Sequence, residues 1–184
     1  MALIPSAASR AGRRVLVAAG MALALGLGGR AAPVGAAVQP VGELQVKAAF
    51  LFNFAKFVAW PRADRPLAIC VAGNTDLTAA AVAIVTGRPI DGRQVVARAV
   101  TAAGTAEECD LLYLGDLSPD DASAFLARVR GPVLTVGETA RFLRDGGMVR
   151  IYLDGNRMRF QVNRRQTDAA GLKISSQLLS LASQ

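Results

Sequence analysis

The chain has 184 residues, 52% of them apolar, a formal charge of +7, two cysteines and no histidine. The missing imidazole removes Ser-His-Asp and Cys-His nucleophile pairs, the commonest general base and most catalytic zinc sites. The basic balance does not point to nucleic acid: Arg10, Arg13, Arg14 and Arg30 fall in the first 37 residues, which hold no acid, and the 17 basic residues that remain face 14 acids without a clustered basic face.

Residues 1–37 have the layout of an export signal. Arg10, Arg13 and Arg14 form a basic start, an uncharged apolar run follows from Val15 to Gly29, and small residues lead to Gly35-Ala36-Ala37, an A-x-A-like cleavage site before Val38. A membrane anchor is the competing assignment. The run is shorter than the ~20 residues a spanning helix needs, and glycines dilute it. Cleavage would leave residues 38–184 as a single domain outside the cytoplasm.

After a short lead, helix and strand patterns alternate. Glu43–Trp60 reads as a helix stopped by Pro61. Pro66–Ala72 (PLAICVA) reads as a buried strand closed by Gly73-Asn74, with a helix over Asp76–Val85 after it. Arg93–Val100 alternates like a strand, Cys109–Leu114 is a buried-type strand, and Pro119–Arg130 is a helix with proline at its start. Pro132–Val136 is a further short strand and Glu138–Arg144 a helix halted by Gly146-Gly147. Met148–Leu153 and Arg157–Val162 flank Asp154-Gly155-Asn156 as a hairpin. Asp168–Ser183 closes the chain as an amphipathic helix with Leu172, Leu179 and Ala182 on one side, joined by Leu178 and Leu181. This alternation predicts an α/β three-layer sandwich: a mostly parallel sheet, helices on both faces, and an antiparallel C-terminal hairpin at one edge.

Nucleotide motifs are missing from that framework. The first strand–helix turn offers one glycine where a dinucleotide fingerprint needs three, and no G-x-x-x-x-G-K-[ST] occurs. Two acidic clusters, Glu107/Glu108/Asp110 and Asp116/Asp120/Asp121, leave a carboxylate-only enzyme open, yet both sit at element ends where acids commonly cap and solvate. The expectation is a non-enzyme without a cofactor or metal.

Cys70 lies inside the first strand of the alternating region and Cys109 starts the third, so neighbouring strands can bring them together. In an oxidising compartment an even pair is expected as a disulfide; two buried thiols are the alternative. Val46–Pro61 is the most unusual segment, holding four of the seven phenylalanines and the only tryptophan. Lys47, Asn53 and Lys56 point in different directions on a helical projection, so this helix is either buried on most sides against the sheet or partly buried against another chain, a homodimer included.

Six segments in order carry a family resemblance: VKAAFLFNFAKFVAWP (Val46–Pro61), PLAICVAG (Pro66–Gly73), CDLLYLG (Cys109–Gly115), PVLTVGE (Pro132–Glu138), FLRDGGMVRIYLDGNRMRFQVN (Phe142–Asn163) and GLKISSQLLSLA (Gly171–Ala182). Over roughly Leu44 to Ala182 the chain resembles the YfiR-like family of exported bacterial proteins. The resemblance implies a periplasmic regulator, one that represses an inner-membrane diguanylate cyclase through its periplasmic sensor domain and so lowers cyclic di-GMP. It also implies an outer-membrane lipoprotein that relieves the repression by sequestering the repressor. Cys70 and Cys109 match a cysteine pair of that family, whereas a second pair falls near Arg144 and Ile151 here and is missing, which puts redox control through it in doubt.

A repressor of this kind needs an exposed binding surface, and exposed aromatics and arginines are the usual anchors. Phe54, Phe57 and Trp60 on the aromatic segment and Arg157, Arg159 and Asn163 near the hairpin are the candidates, with a helix cap as the alternative role for Asn163. The competing function is a small-molecule sensor without a cyclase partner, its ligand held outside the carboxyl ends of the strands near Gly73-Asn74, Gly115-Asp116 and Gly137-Glu138.

Overall fold

In a computed structural model, residues 41–62 and 64–183 are described. The expected export signal lies outside the described residues. The elements run α1 (Val41–Lys56), β1 (Val58–Ala59), β2 (Leu67–Ala72), α2 (Thr75–Val85), β3 (Val95–Val100), β4 (Leu111–Tyr113) and α3 (Pro119–Leu126). They continue with β5 (Leu134–Gly137), β6 (Val149–Asp154), β7 (Arg157–Val162), α4 (Arg164–Ala169), β8 (Lys173–Ile174) and α5 (Ser176–Leu181).

Six strands form one sheet in the order β3-β2-β4-β5-β6-β7, parallel throughout except for the β6–β7 pair. β2 is apolar at all six positions and buried at all six, as a strand covered on both faces must be. Successive side chains therefore divide between two cores. Ile69 and Val71 join Leu111, Tyr113, Val136 and Ile151 beneath α1 and α2, while Cys70 and Ala72 join Leu112, Leu114 and Phe125 beneath α3. This is the expected three-layer α/β sandwich with its antiparallel hairpin. The hairpin turns through Gly155-Asn156 with a left-handed φ at Gly155 alone (+59°), the pattern of a II′ turn with glycine first.

Three elements differ from expectation. Helix α1 stops at Lys56 rather than Trp60, because Val58–Ala59 turns extended and pairs with Lys173–Ile174 as a separate two-stranded ribbon. Glu138–Arg144 is not a helix but a run of turns, with Phe142 N–H bonded to the Thr139 carbonyl (3.0 Å) and Gly147 N–H to the Phe142 carbonyl (2.9 Å). The Phe142 ring lies against Gly137 and Gly147, where any Cβ would collide with it, and this burial holds the segment in place of helical bonding. The expected closing helix over Asp168–Ser183 is broken into α4, β8 and α5. Gly171 takes a left-handed φ of +72°, the usual end of a helix, and Ser175 caps a new one by accepting from the Leu178 N–H.

Cys70 and Cys109 form a disulfide with 5.8 Å between their Cα atoms, closing a sequence separation of 39 inside the α3-side core. Nearby, Asp110 is buried and ties strand starts together. It accepts from the Ala68 N–H (2.9 Å) and from Arg65 (3.0 Å), and Arg93 lies 3.8 Å away.

Candidate partner-binding groove

Helix α1 is apolar nearly all round, and packing divides its faces. Ala48, Leu51, Phe52 and Ala55 go into the sheet-side core. Phe50, Asn53, Phe54 and Phe57, spaced three and four apart, form a stripe on an adjoining side. That stripe faces β7: Phe54 stacks edge-on against Phe160 at 5.1 Å between ring centroids and against Phe50 at 5.7 Å. Because Gly171 and β8 turn the chain back, α5 comes to lie beside the same stripe with Leu178 and Leu181. Between α1, β7 and α5 a groove of about 420 Å³ opens, apolar along its walls. Leu181 stands 66% exposed at its rim, a position where an apolar side chain gains nothing from the fold.

Arg157 and Arg159 also line this groove, so the structure brings four of the candidate residues, Phe54, Phe57, Arg157 and Arg159, to one place. Phe54 is buried and forms floor rather than rim. Arg159 is paired with Asp154 at 2.6 Å. The other two candidates lie elsewhere. Trp60 sits in a separate depression with Leu67 and Ile90, its indole N–H donating to the Ala55 carbonyl (2.9 Å). Asn163 caps α4, accepting from the Gln166 N–H (3.3 Å) and donating to the Leu143 carbonyl (3.1 Å). Phe50, Asn53, Met158, Phe160, Leu178 and Leu181 are lining residues outside the candidate set; the sequence places Leu178 and Leu181 only on the apolar side of the closing helix.

The carboxyl ends of the strands look different. Polar groups converge there but bond one another. Lys47, 7% exposed, reaches from α1 to Glu138 (2.8 Å) and Glu43 (3.0 Å). The Tyr113 hydroxyl donates to Glu138, and Asn74 donates to Asp116 (3.0 Å). Burial, then the charge of Glu138, push the Tyr113 phenol far above its ordinary range. Burial works against the Lys47 charge, yet hydrogen bonds and attraction from Glu138 and Glu43 outweigh it and raise its pKa. The arrangement satisfies its own hydrogen bonds and holds α1 to the ends of β4 and β5.

Most members of the acidic clusters likewise have structural employment. Asp110 is the buried tie already described, Glu108 pairs with Arg98 (2.7 Å), and Asp120 pairs with Arg141 (2.5 Å). Asp121 accepts from the Ser118 hydroxyl (2.6 Å) at the start of α3. Among the described residues no helix is long and apolar enough to cross a membrane.

Set against known proteins, residues 44–183 match the family model described as YfiR/HmsC-like, about three quarters of the chain, including every element that lines the groove.

Proposed function

The chain belongs to the YfiR/HmsC-like family, and from that premise we propose that it is a periplasmic regulator, exported by residues 1–37, that represses an inner-membrane diguanylate cyclase by binding the cyclase's periplasmic sensor domain. An outer-membrane lipoprotein that competes for the repressor would relieve the repression, and the output is the cytoplasmic level of cyclic di-GMP. The groove between α1, β7 and α5 is the surface we assign to partner contact. The observation that carries the assignment is its composition: an apolar trough with an exposed leucine and two arginines at its margin. Aromatic and arginine anchors in a pocket that excludes water are what concentrate binding energy in protein interfaces.

Repression by grip alone requires that the protein bind one conformation of the sensor more tightly than another, since a ligand shifts an equilibrium only by its differential affinity. Moving a cyclase from about 90% to about 10% active takes roughly 2.6 kcal/mol of such preference, which a few well-packed side chains can supply. The assignment is tested in cells by replacing Leu181 with Glu and, separately, Arg159 with Glu. Both variants keep their melting temperature, being exposed or half-exposed, and both raise cyclic di-GMP toward the level of cells lacking the protein. Full repression by both would remove the groove from the mechanism.

A further inference from the structure

β7 is the last strand of the sheet and, among the described residues, is paired on one side only. Its register with β6 decides where its backbone groups point. The Asn163 N–H bonds the Met148 carbonyl (2.7 Å), so bonded pairs recur at Arg150–Gln161, Tyr152–Arg159 and Asp154–Arg157. Met158, Phe160 and Val162 fall between them and turn their N–H and C=O groups off the sheet edge. The Phe160 carbonyl marks the direction: it accepts from the Ser183 N–H at 2.8 Å, just past α5. The Met158 N–H and C=O and the Phe160 N–H point the same way and meet no partner among the described residues.

These edge groups run between two chemically different strips. Met158 and Phe160 direct their side chains to the α1 face, onto Phe50, Phe54 and the groove wall. Arg157 and Arg159 alternate toward the other face and meet the groove only at its margin; there Arg159 holds Asp154, and Arg157 has no ion pair among the described residues.

We infer that β7 takes an added strand, an extended segment of the partner protein that alternates apolar and acidic residues. Its apolar side chains enter the groove and its acids meet Arg157 and Arg159. This rests on the groove being the partner site and states what the partner presents to it. Main-chain bonds to a sheet edge supply affinity in such complexes, and alternate side chains supply selectivity. An extended residue opposite Arg159 can donate to the Met158 carbonyl and accept from the Phe160 N–H, the pattern of a parallel pair. A second copy of the chain fits worse. Pairing β7 with β7 about a two-fold axis sets arginines against arginines, and like charges facing each other across strands are destabilising. Arginines on an edge also discourage aggregation, but that role needs no apolar trough beside them.

The probe is a library of peptides of about eight residues alternating Asp or Glu with Val, Leu or Phe, titrated by fluorescence anisotropy against the exported protein. Met158→Pro deletes an edge N–H that β6 does not use, at a position where an edge strand accepts proline, and Met158→Leu is its control. The expected result is a binding sequence whose affinity falls about tenfold or more with Met158→Pro, or with N-methylation of its alternate amides, and is kept by Met158→Leu; exchanging its acids for lysines also weakens it about tenfold. The proposal is overturned if no peptide binds at about 1 mM, or if binding survives both Met158→Pro and N-methylation. Repression in cells separates the two levels. If Met158→Pro represses normally while Leu181→Glu does not, strand addition is wrong and the groove remains the partner site. If neither variant alters repression, the groove assignment itself fails. Melting curves of all variants report that each is folded.

Discussion

Removing the Cys70–Cys109 bridge should lower stability steeply without touching the groove. The bridge closes a separation of 39 residues, for which the loss of chain entropy in the unfolded state predicts about 4 kcal/mol at 25 °C. In the double variant Cys70→Ala/Cys109→Ala both sulfurs also leave sites that are 0% and 1% exposed, and the small voids add about 1 kcal/mol. At roughly 2–4 °C per kcal/mol for a chain of this size, the melting temperature should fall by about 10–20 °C. Reduction of the wild-type protein keeps the sulfurs and should cost slightly less. The assay is thermal melting by circular dichroism, with and without reductant, together with urea unfolding at 25 °C. Because the bridge lies in the core under α3 and the groove under α1, the double variant should still bind its partner below its melting point. A drop of under about 3 °C would refute the entropy argument for this loop. Loss of binding by a variant shown to be folded would refute the separation of the two faces.

Asp110→Ala strands two arginines and the Ala68 N–H around an apolar methyl, and should cost about 3–5 kcal/mol in urea unfolding; an effect below about 1 kcal/mol would mean that Arg65 and Arg93 find water instead. Stability should also fall on the alkaline side. Tyr113 and Lys47 both have folded pKa values raised above their unfolded ones, so the folded state holds protons that the unfolded state releases, and stability is lost as pH rises beyond about 10. Tyr113→Phe should flatten that alkaline limb in a melting series from pH 8 to 11, and an unchanged slope would show that the phenol does not contribute. Gly115→Ala places a methyl against the Tyr113 hydroxyl and 2.7 Å from the Glu138 Cγ, and should destabilise by about 1–3 kcal/mol, read in the same unfolding assay.

The strands were legible because burial on both faces demands unbroken apolar runs. PLAICVA and CDLLYL could be little else, and the glycine turn between β6 and β7 announced the hairpin. What escaped is where long-range contacts overrule local pattern. Leu172, Leu179 and Ala182 keep helical spacing, yet the left-handed Gly171, the capping Ser175 and the pairing of Lys173–Ile174 with Val58–Ala59 break the helix. Gly171 and Ser175 were visible signals. The pairing was not, since nothing local to Lys173 names Val58.

The same break explains the groove. Phe54, Phe57, Arg157 and Arg159 were conspicuous by type, but Leu178 and Leu181 reach them only because the ribbon folds α5 back. Trp60 was grouped with the phenylalanines on the assumption of a continuous helix. The helix ends at Lys56, the chain turns extended, and the indole is carried to the far depression beside Ile90. Asn163 carried both a cap signal and an interface signal, and its bonds follow the cap.

The most direct test of action from outside the cytoplasm compares two forms in cells lacking the gene: the full chain, and a chain starting at Val38 that is retained inside. With both folded and equally abundant, the full chain should lower cyclic di-GMP and the retained chain should leave it at the level of the deletion. Equal lowering by the retained chain would contradict regulation through a periplasmic sensor.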